Sequence, residues 1–126
     1  MTIERCTAAM LAVTTLFLGA CGQSEPSVSY TNDVKPILDR YCLECHQSGS
    51  DGYAQSGLSV QSYDDLMTGT NFGPILVPGD AFNSNLNILV EGRADPSIAM
   101  PHGGQKLYAA DIETLRAWVD QGAQNN

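Results

Sequence analysis

The chain has 126 residues, 43% hydrophobic, 16% charged and 7% aromatic. That is material for one domain and too little for a multi-domain enzyme. Six Lys/Arg against fourteen Asp/Glu give a formal charge of −8, which excludes a basic nucleic-acid-binding face and electrostatic docking on an anionic lipid surface. No apolar run reaches the roughly 18 residues of a transmembrane helix, so a polytopic membrane protein is excluded as well.

In chain order, residues 1–5 are a short polar start containing Arg5, and residues 8–18 (AAMLAVTTLFL) have the length of a signal peptide's apolar region. Residues 1–20 are therefore expected to be an export signal. The exit, Leu18-Gly19-Ala20-Cys21, resembles a bacterial lipobox. That resemblance implies cleavage before Cys21, lipid on its thiol, and anchoring to a membrane on the exported, periplasmic side. A plain cleaved signal with a free Cys21, or a buried N-terminal helix, stand as alternatives. Residues 21–29 then form the lipidated N-terminus and a polar, Pro-containing linker, and the folded domain is expected over 30–126. No internal repeat or low-complexity segment interrupts it.

Cys6 lies in the expected signal and Cys21 under the expected lipid, so the domain keeps Cys42 and Cys45. They stand in Cys42-Leu43-Glu44-Cys45-His46, a CxxCH motif of the kind that attaches c-type haem. Two thiols at this spacing reach the two vinyl groups on one porphyrin edge, and the following histidine brings its imidazole under the iron. A thioredoxin-like dithiol would want a strand leading into the motif and a βαβ context. Zinc on Cys42, Cys45, His46 and His102 has the right ligand count, but adjacent Cys45 and His46 share one tetrahedral ion poorly. A structural disulfide is awkward at this spacing within a helix.

Val34, Ile37, Leu38, Tyr41, Cys42 and Cys45 repeat at helical spacing, so 31–46 reads as a helix with Asp33 as N-cap and Pro36 in the first turn. Such a helix would deliver both thiols and His46 on its buried side. Residues 47–57 read as a Gly/Ser/Gln-rich loop. Residues 62–68 and 84–91 read as short helices capped by Ser62 and Ser84, the second stopped by Gly92. The segments 58–60 and 75–77 carry weak strand signals. Ile112, Leu115, Trp118 and Val119 mark a last amphipathic helix, with Asp111 and Glu113 early and Gly122 just past its end. Together these predict an all-α domain with long loops, its two terminal helices packed across each other. Trp118 and Met67 are expected in the core.

Ala99-Met100-Pro101-His102 offers a distal ligand. A thioether from Met100 favours ferrous iron and an imidazole from His102 ferric iron; Met100 is the preferred ligand, with His102 or an open position as alternatives. Arg93 or Lys106 would pair with a haem propionate or be a solvated surface charge.

With these residues in place, the stretch 34–123 resembles a small class I cytochrome c, and more narrowly the planctomycete-type single-haem domain. The matching pieces are Val34-Lys35-Pro36-Ile37-Leu38, the CxxCH motif, Gly57-Leu58-Ser59-Val60, Val77-Pro78-Gly79-Asp80 with Ser84, Ala99-Met100-Pro101, and Trp118-Val119-Asp120-Gln121-Gly122-Ala123. The resemblance implies a cytochrome c-like fold around one covalent haem c. It also implies thioethers at Cys42 and Cys45, and iron held by His46 and Met100. Tyr108 stands where the family opens its last helix with Ser or Thr, and His102 replaces the second proline of the usual Met-Pro-Pro.

The expected function is single-electron transfer by outer-sphere Fe(II)/Fe(III) cycling, not enzyme catalysis, with a redox partner that presents a basic docking patch. Two rivals remain: a peroxidase-like or ligand-activating haem protein with an open sixth site, and a redox sensor exchanging Met100 for His102.

Overall fold

Ser29 starts the first helical turns. Its Oγ accepts from the Asn32 backbone N–H at 3.1 Å, while its own N–H donates to Asp33 Oδ2 at 2.8 Å, a reciprocal cap. The cap is thus Ser29, and Asp33, expected in that role, is its partner in the first turn. In this computed structural model, which describes residues 26–126, Tyr30–Val34 forms a π-helical turn that runs into α1, Lys35–Tyr41. Pro36 supplies a reason for the wide turn: it has no N–H to return to the Asn32 carbonyl, and its ring needs room there. The expected signal, Cys21 and the start of the linker lie outside the described residues. Within the rest of the expected linker, the Val28 N–H donates to Gln121 Oε1 at 2.8 Å, and Val28 packs against the core.

Helix α1 stops earlier than the sequence pattern suggests. The N–H groups of Cys42 and Leu43 both donate to the Leu38 carbonyl, at 2.9 and 3.0 Å, so the last turn widens and Cys42 leaves helical geometry. The CxxCH motif then makes a turn of its own, with the His46 N–H on the Cys42 carbonyl at 2.9 Å. Four more helices follow: α2 Asp51–Ser56, α3 Tyr63–Thr68, α4 Asn85–Val90 and α5 Ala109–Asp120. The stretch expected as a loop at 47–57 therefore contains α2. It was hidden because α2 buries no residue and so writes no apolar stripe.

Ser62 caps α3 through the Asp65 N–H, as expected. Ser84 precedes α4 but caps nothing: its hydroxyl is turned to the preceding loop, accepting from the Val77 N–H at 2.8 Å and donating to the Asp80 carbonyl at 2.9 Å. Tyr108 likewise gives α5 no side-chain cap. Neither weak strand signal becomes a strand; an isolated bridge joins Thr70 and Gly73.

The core is formed by Val34, Leu38, Val60, Leu66, Leu115, Trp118 and Val119, all essentially shut off from solvent. The Tyr30 ring lies 5.2 Å edge-on from Tyr63 and 5.7 Å from Trp118, whose Nε1 donates to the Gln124 carbonyl. Helix α5 packs mainly on the π turn and on α4, and Tyr41 at the end of α1 reaches it by a 3.0 Å hydrogen bond from its hydroxyl to Asp111. The chain end closes the same seam, with the Thr31 N–H donating to the Asn126 carbonyl at 3.0 Å. No helix among the described residues is long and apolar enough to cross a membrane.

Candidate cofactor site

A cavity of about 370 Å³ opens beside this core. Cys42, Cys45 and His46 form one side, and Met100, Pro101 and His102 another. Helix α4 contributes Leu86, Leu89 and Val90, a single face at i, i+3 and i+4, while Leu58, Val60 and Ile75 complete an apolar lining. The cavity thus gathers every ligand candidate of the described residues that the sequence singled out.

The motif is held by α2. The Cys45 carbonyl accepts from the Tyr53 N–H at 3.0 Å and from the Ser50 hydroxyl, which also reaches the Gln47 carbonyl. Gly52 packs so closely that an added Cβ would overlap the Cys45 carbonyl oxygen. Ser50 and Gly52 escaped the sequence reading. Their only trace was a glycine one position after a plausible Ser-Asp helix start.

Burial, followed by the influence of Cys45 and Asp39, pushes the Cys42 thiol up to about 11. Cys45 is exposed, and both thiols are free, so no disulfide joins them. His46 is buried. Burial lowers its pKa, the Leu58 backbone opposes that shift, and His102 lowers it further. Its Nδ1 is buried without a well-formed hydrogen bond despite the nearness of Leu58. A neutral imidazole is the form that binds a metal. Met100 is half-buried, its N–H donating to the Leu89 carbonyl at 3.3 Å, and the Met100–Pro101 peptide is cis. His102 is exposed at the cavity's edge.

The other candidates fall elsewhere. Arg93 pairs with Glu91 at 2.5 Å, donates to the Phe82 carbonyl and lies 4.8 Å over the Phe82 ring, away from the cavity. Lys106 is exposed beside a smaller neighbouring cavity. Trp118 lies in the core, as expected, whereas Met67 is half-buried and packs against it. Among the described residues no group of three or more His, Cys, Asp and Glu converges for a metal ion.

Two unpaired thiols, a buried imidazole with an orphaned nitrogen, a thioether and an apolar wall form a donor set that fits a covalently attached haem. The family model for planctomycete cytochrome C matches residues 42–104, half of the chain, from the CxxCH motif through α4 to just beyond Met100. No curated protein and no solved structure matches the chain. A cytochrome c domain binds haem and serves electron transfer in general. Motif, cavity and family match agree, and the chain belongs to the planctomycete cytochrome C family.

Proposed function

We propose that this protein is a mono-haem c-type cytochrome that carries single electrons on the exported face of a membrane, held there by lipid at Cys21. The observation that carries the proposal is the convergence of Cys42, Cys45, His46 and Met100 on one apolar cavity. Bound there, the haem iron supplies Fe(II)/Fe(III) cycling. Cys42 and Cys45 tether the group through thioethers, His46 ligates from the motif side, and Met100 ligates with a sulfur that favours the reduced state. Leu58, Val60, Ile75, Leu86, Leu89 and Val90 give the site an apolar wall, which suits outer-sphere transfer rather than catalysis.

The exposed carboxylates Glu44 and Asp51 flank Cys45 in the chain, and Asp51 lines the cavity. With the formal charge of −8 they favour a partner with a basic docking patch and an association rate that falls with salt.

The test is the optical spectrum of protein matured in a haem-attaching, export-competent host. A c-type spectrum that survives acid-acetone extraction, together with a far-red sulfur-to-iron band in the oxidised form, is expected. Met100→Ala should lose that band while keeping the haem, and His102→Ala should keep both. Because His102 lines the same cavity, a second reading places its imidazole in the sixth position. Loss of the spectral signature in His102→Ala instead of Met100→Ala would select it.

A further inference from the structure

A buried carboxylate stands behind the Met100 wall. Met100 and Pro101 separate the main cavity from a second one of about 220 Å³, which Glu91 lines at the end of α4. The Glu91 side chain is only 7% exposed, and two of the chain's six Lys/Arg residues are committed to it. Its Oε2 lies 2.5 Å from Arg93 Nε, and its Oε1 lies 2.7 Å from an Arg116 guanidinium nitrogen on α5. The second contact is close without hydrogen-bond alignment, so this pair is held by charge. Together the three side chains carry one net positive charge. Stability is a poor reason for the arrangement. A carboxylate at a helix C-terminus opposes the helix dipole, and a buried ion pair returns little over apolar residues of similar volume. What the cluster does supply is fixed charge where solvent screens it weakly.

We propose that Glu91 sets the reduction potential of the site by charge, offsetting Arg93 and Arg116 so that the cluster behind Met100 carries one positive unit rather than two. The proposal rests on the haem reading above. One electron added to the site lowers its charge by one unit, with no proton moved and no bond made or broken. A positive charge nearby therefore favours the reduced form and a negative charge the oxidised form. A solvated charge acts weakly and fades with salt, whereas the burial of Glu91 preserves its influence. Lys106 lines the same second cavity but is exposed, and counts for less.

The experiment is a redox titration of the holoprotein in wild type, Glu91→Gln, Arg116→Gln and the double variant, with the far-red band recorded for each. Glu91→Gln should raise the potential. At the wild-type midpoint its reduced-to-oxidised ratio should increase about threefold, equivalent to about 28 mV for one electron. Arg116→Gln should lower the ratio by a similar factor. The double variant, again with one net positive charge, should return close to wild type. A residue that merely braced α4, and with it the Leu89 carbonyl that receives Met100, behaves differently: every variant would shift the potential in one direction and weaken the band, the double variant most. That pattern would overturn the proposal, as would a fall or no change in Glu91→Gln. Should Glu91→Gln not fold, Arg116→Gln, at a side chain 42% exposed, tests the opposite sign, and a rise or no change there overturns the proposal equally. Failure of the underlying reading is seen earlier, as a wild-type protein without covalent haem, and sinks both. Covalent haem without the far-red band removes Met100 as ligand, and the signs of the potential shifts still decide the role of Glu91.

Discussion

The two sides of the cavity are built in different ways. On the Cys42–His46 side the backbone is anchored repeatedly: Cys42 and Leu43 to Leu38, His46 to Cys42, Tyr53 to Cys45, and Val60 to the His46 carbonyl at 2.8 Å. On the other side, across residues 99–107, the one backbone hydrogen bond among the described residues is Met100 to Leu89, at 3.3 Å. Most of residues 102–106 are open to solvent, and a cavity lies behind them. The attachment side is fixed by many small constraints, whereas the Met100 side rests on few. Local stability follows the density of such bonds and contacts, so the same small insult should cost much more on the first side than on the second.

Gly52→Ala is the severest such insult. Alanine in a helix normally gains close to 1 kcal/mol over glycine. At this position its Cβ would overlap a backbone carbonyl that is itself held by Tyr53 and Ser50 and cannot step aside. The clash should win, with a net loss of about 2 kcal/mol. Urea unfolding of the holoprotein would measure it as a lower midpoint at unchanged slope. A stabilised Gly52→Ala protein would mean that α2 does not clamp the motif.

Much of this contrast was hidden in the sequence, for identifiable reasons. CxxCH, Met100-Pro101, the Ser62 cap and the last helix are local signals, carried by spacing and by residue type; the first two line one cavity, and the cap and the helix form where expected. The end of α1 was masked because Cys42 and Cys45 continue the apolar spacing for the sake of the cavity, not of a helix. Helix α2 presents no apolar stripe, so its role in holding Cys45 exists only in tertiary contact. The same holds for Ser84, whose residue type suggested a cap and whose hydroxyl serves the Val77–Asp80 loop. The cavity behind Met100 is a gap between segments distant in sequence, and no periodicity records a gap.

The core supporting α1 has one defect that sharpens the comparison. The Tyr30 hydroxyl is buried and has no hydrogen-bond partner. Burial, followed by Asp39, Asp65, Tyr63 and Asp64, pushes its pKa from 10.0 up to about 12. In the unfolded chain the phenol ionises near 10, so between pH 10 and 12 the unfolded state binds fewer protons than the folded one. Stability supported by the protonated phenol is therefore complete below pH 10 and lost as pH rises toward 12. Tyr30→Phe removes an unsatisfied hydroxyl while keeping the ring against Trp118 and Tyr63, and should stabilise by up to about 1 kcal/mol at neutral pH. Its alkaline unfolding should also begin at higher pH. Urea midpoints at neutral pH and across pH 9 to 12 check both; an unchanged alkaline limb would place the loss in other groups.

The smallest effect belongs on the Met100 side, where it tests the contrast by its absence. Gly104 is exposed, and a Cβ there would lie 3.4 Å from the Cβ of Pro101, an ordinary contact. Unlike Gly103, which has a φ of 60°, it shows no left-handed backbone that would resist alanine. Gly104→Ala narrows the unfolded ensemble slightly and strains nothing, so its stability should lie within about 0.5 kcal/mol of wild type. The far-red band should keep its position and strength, because Met100 is placed by Leu89 and Pro101 rather than by the loop beyond them. The same chemical change, glycine to alanine, is thus expected to separate the two sides by the difference between a clamped carbonyl and an open loop. A Gly104→Ala loss as large as that of Gly52→Ala would show that the residues after Pro101 are as tightly determined as the attachment motif.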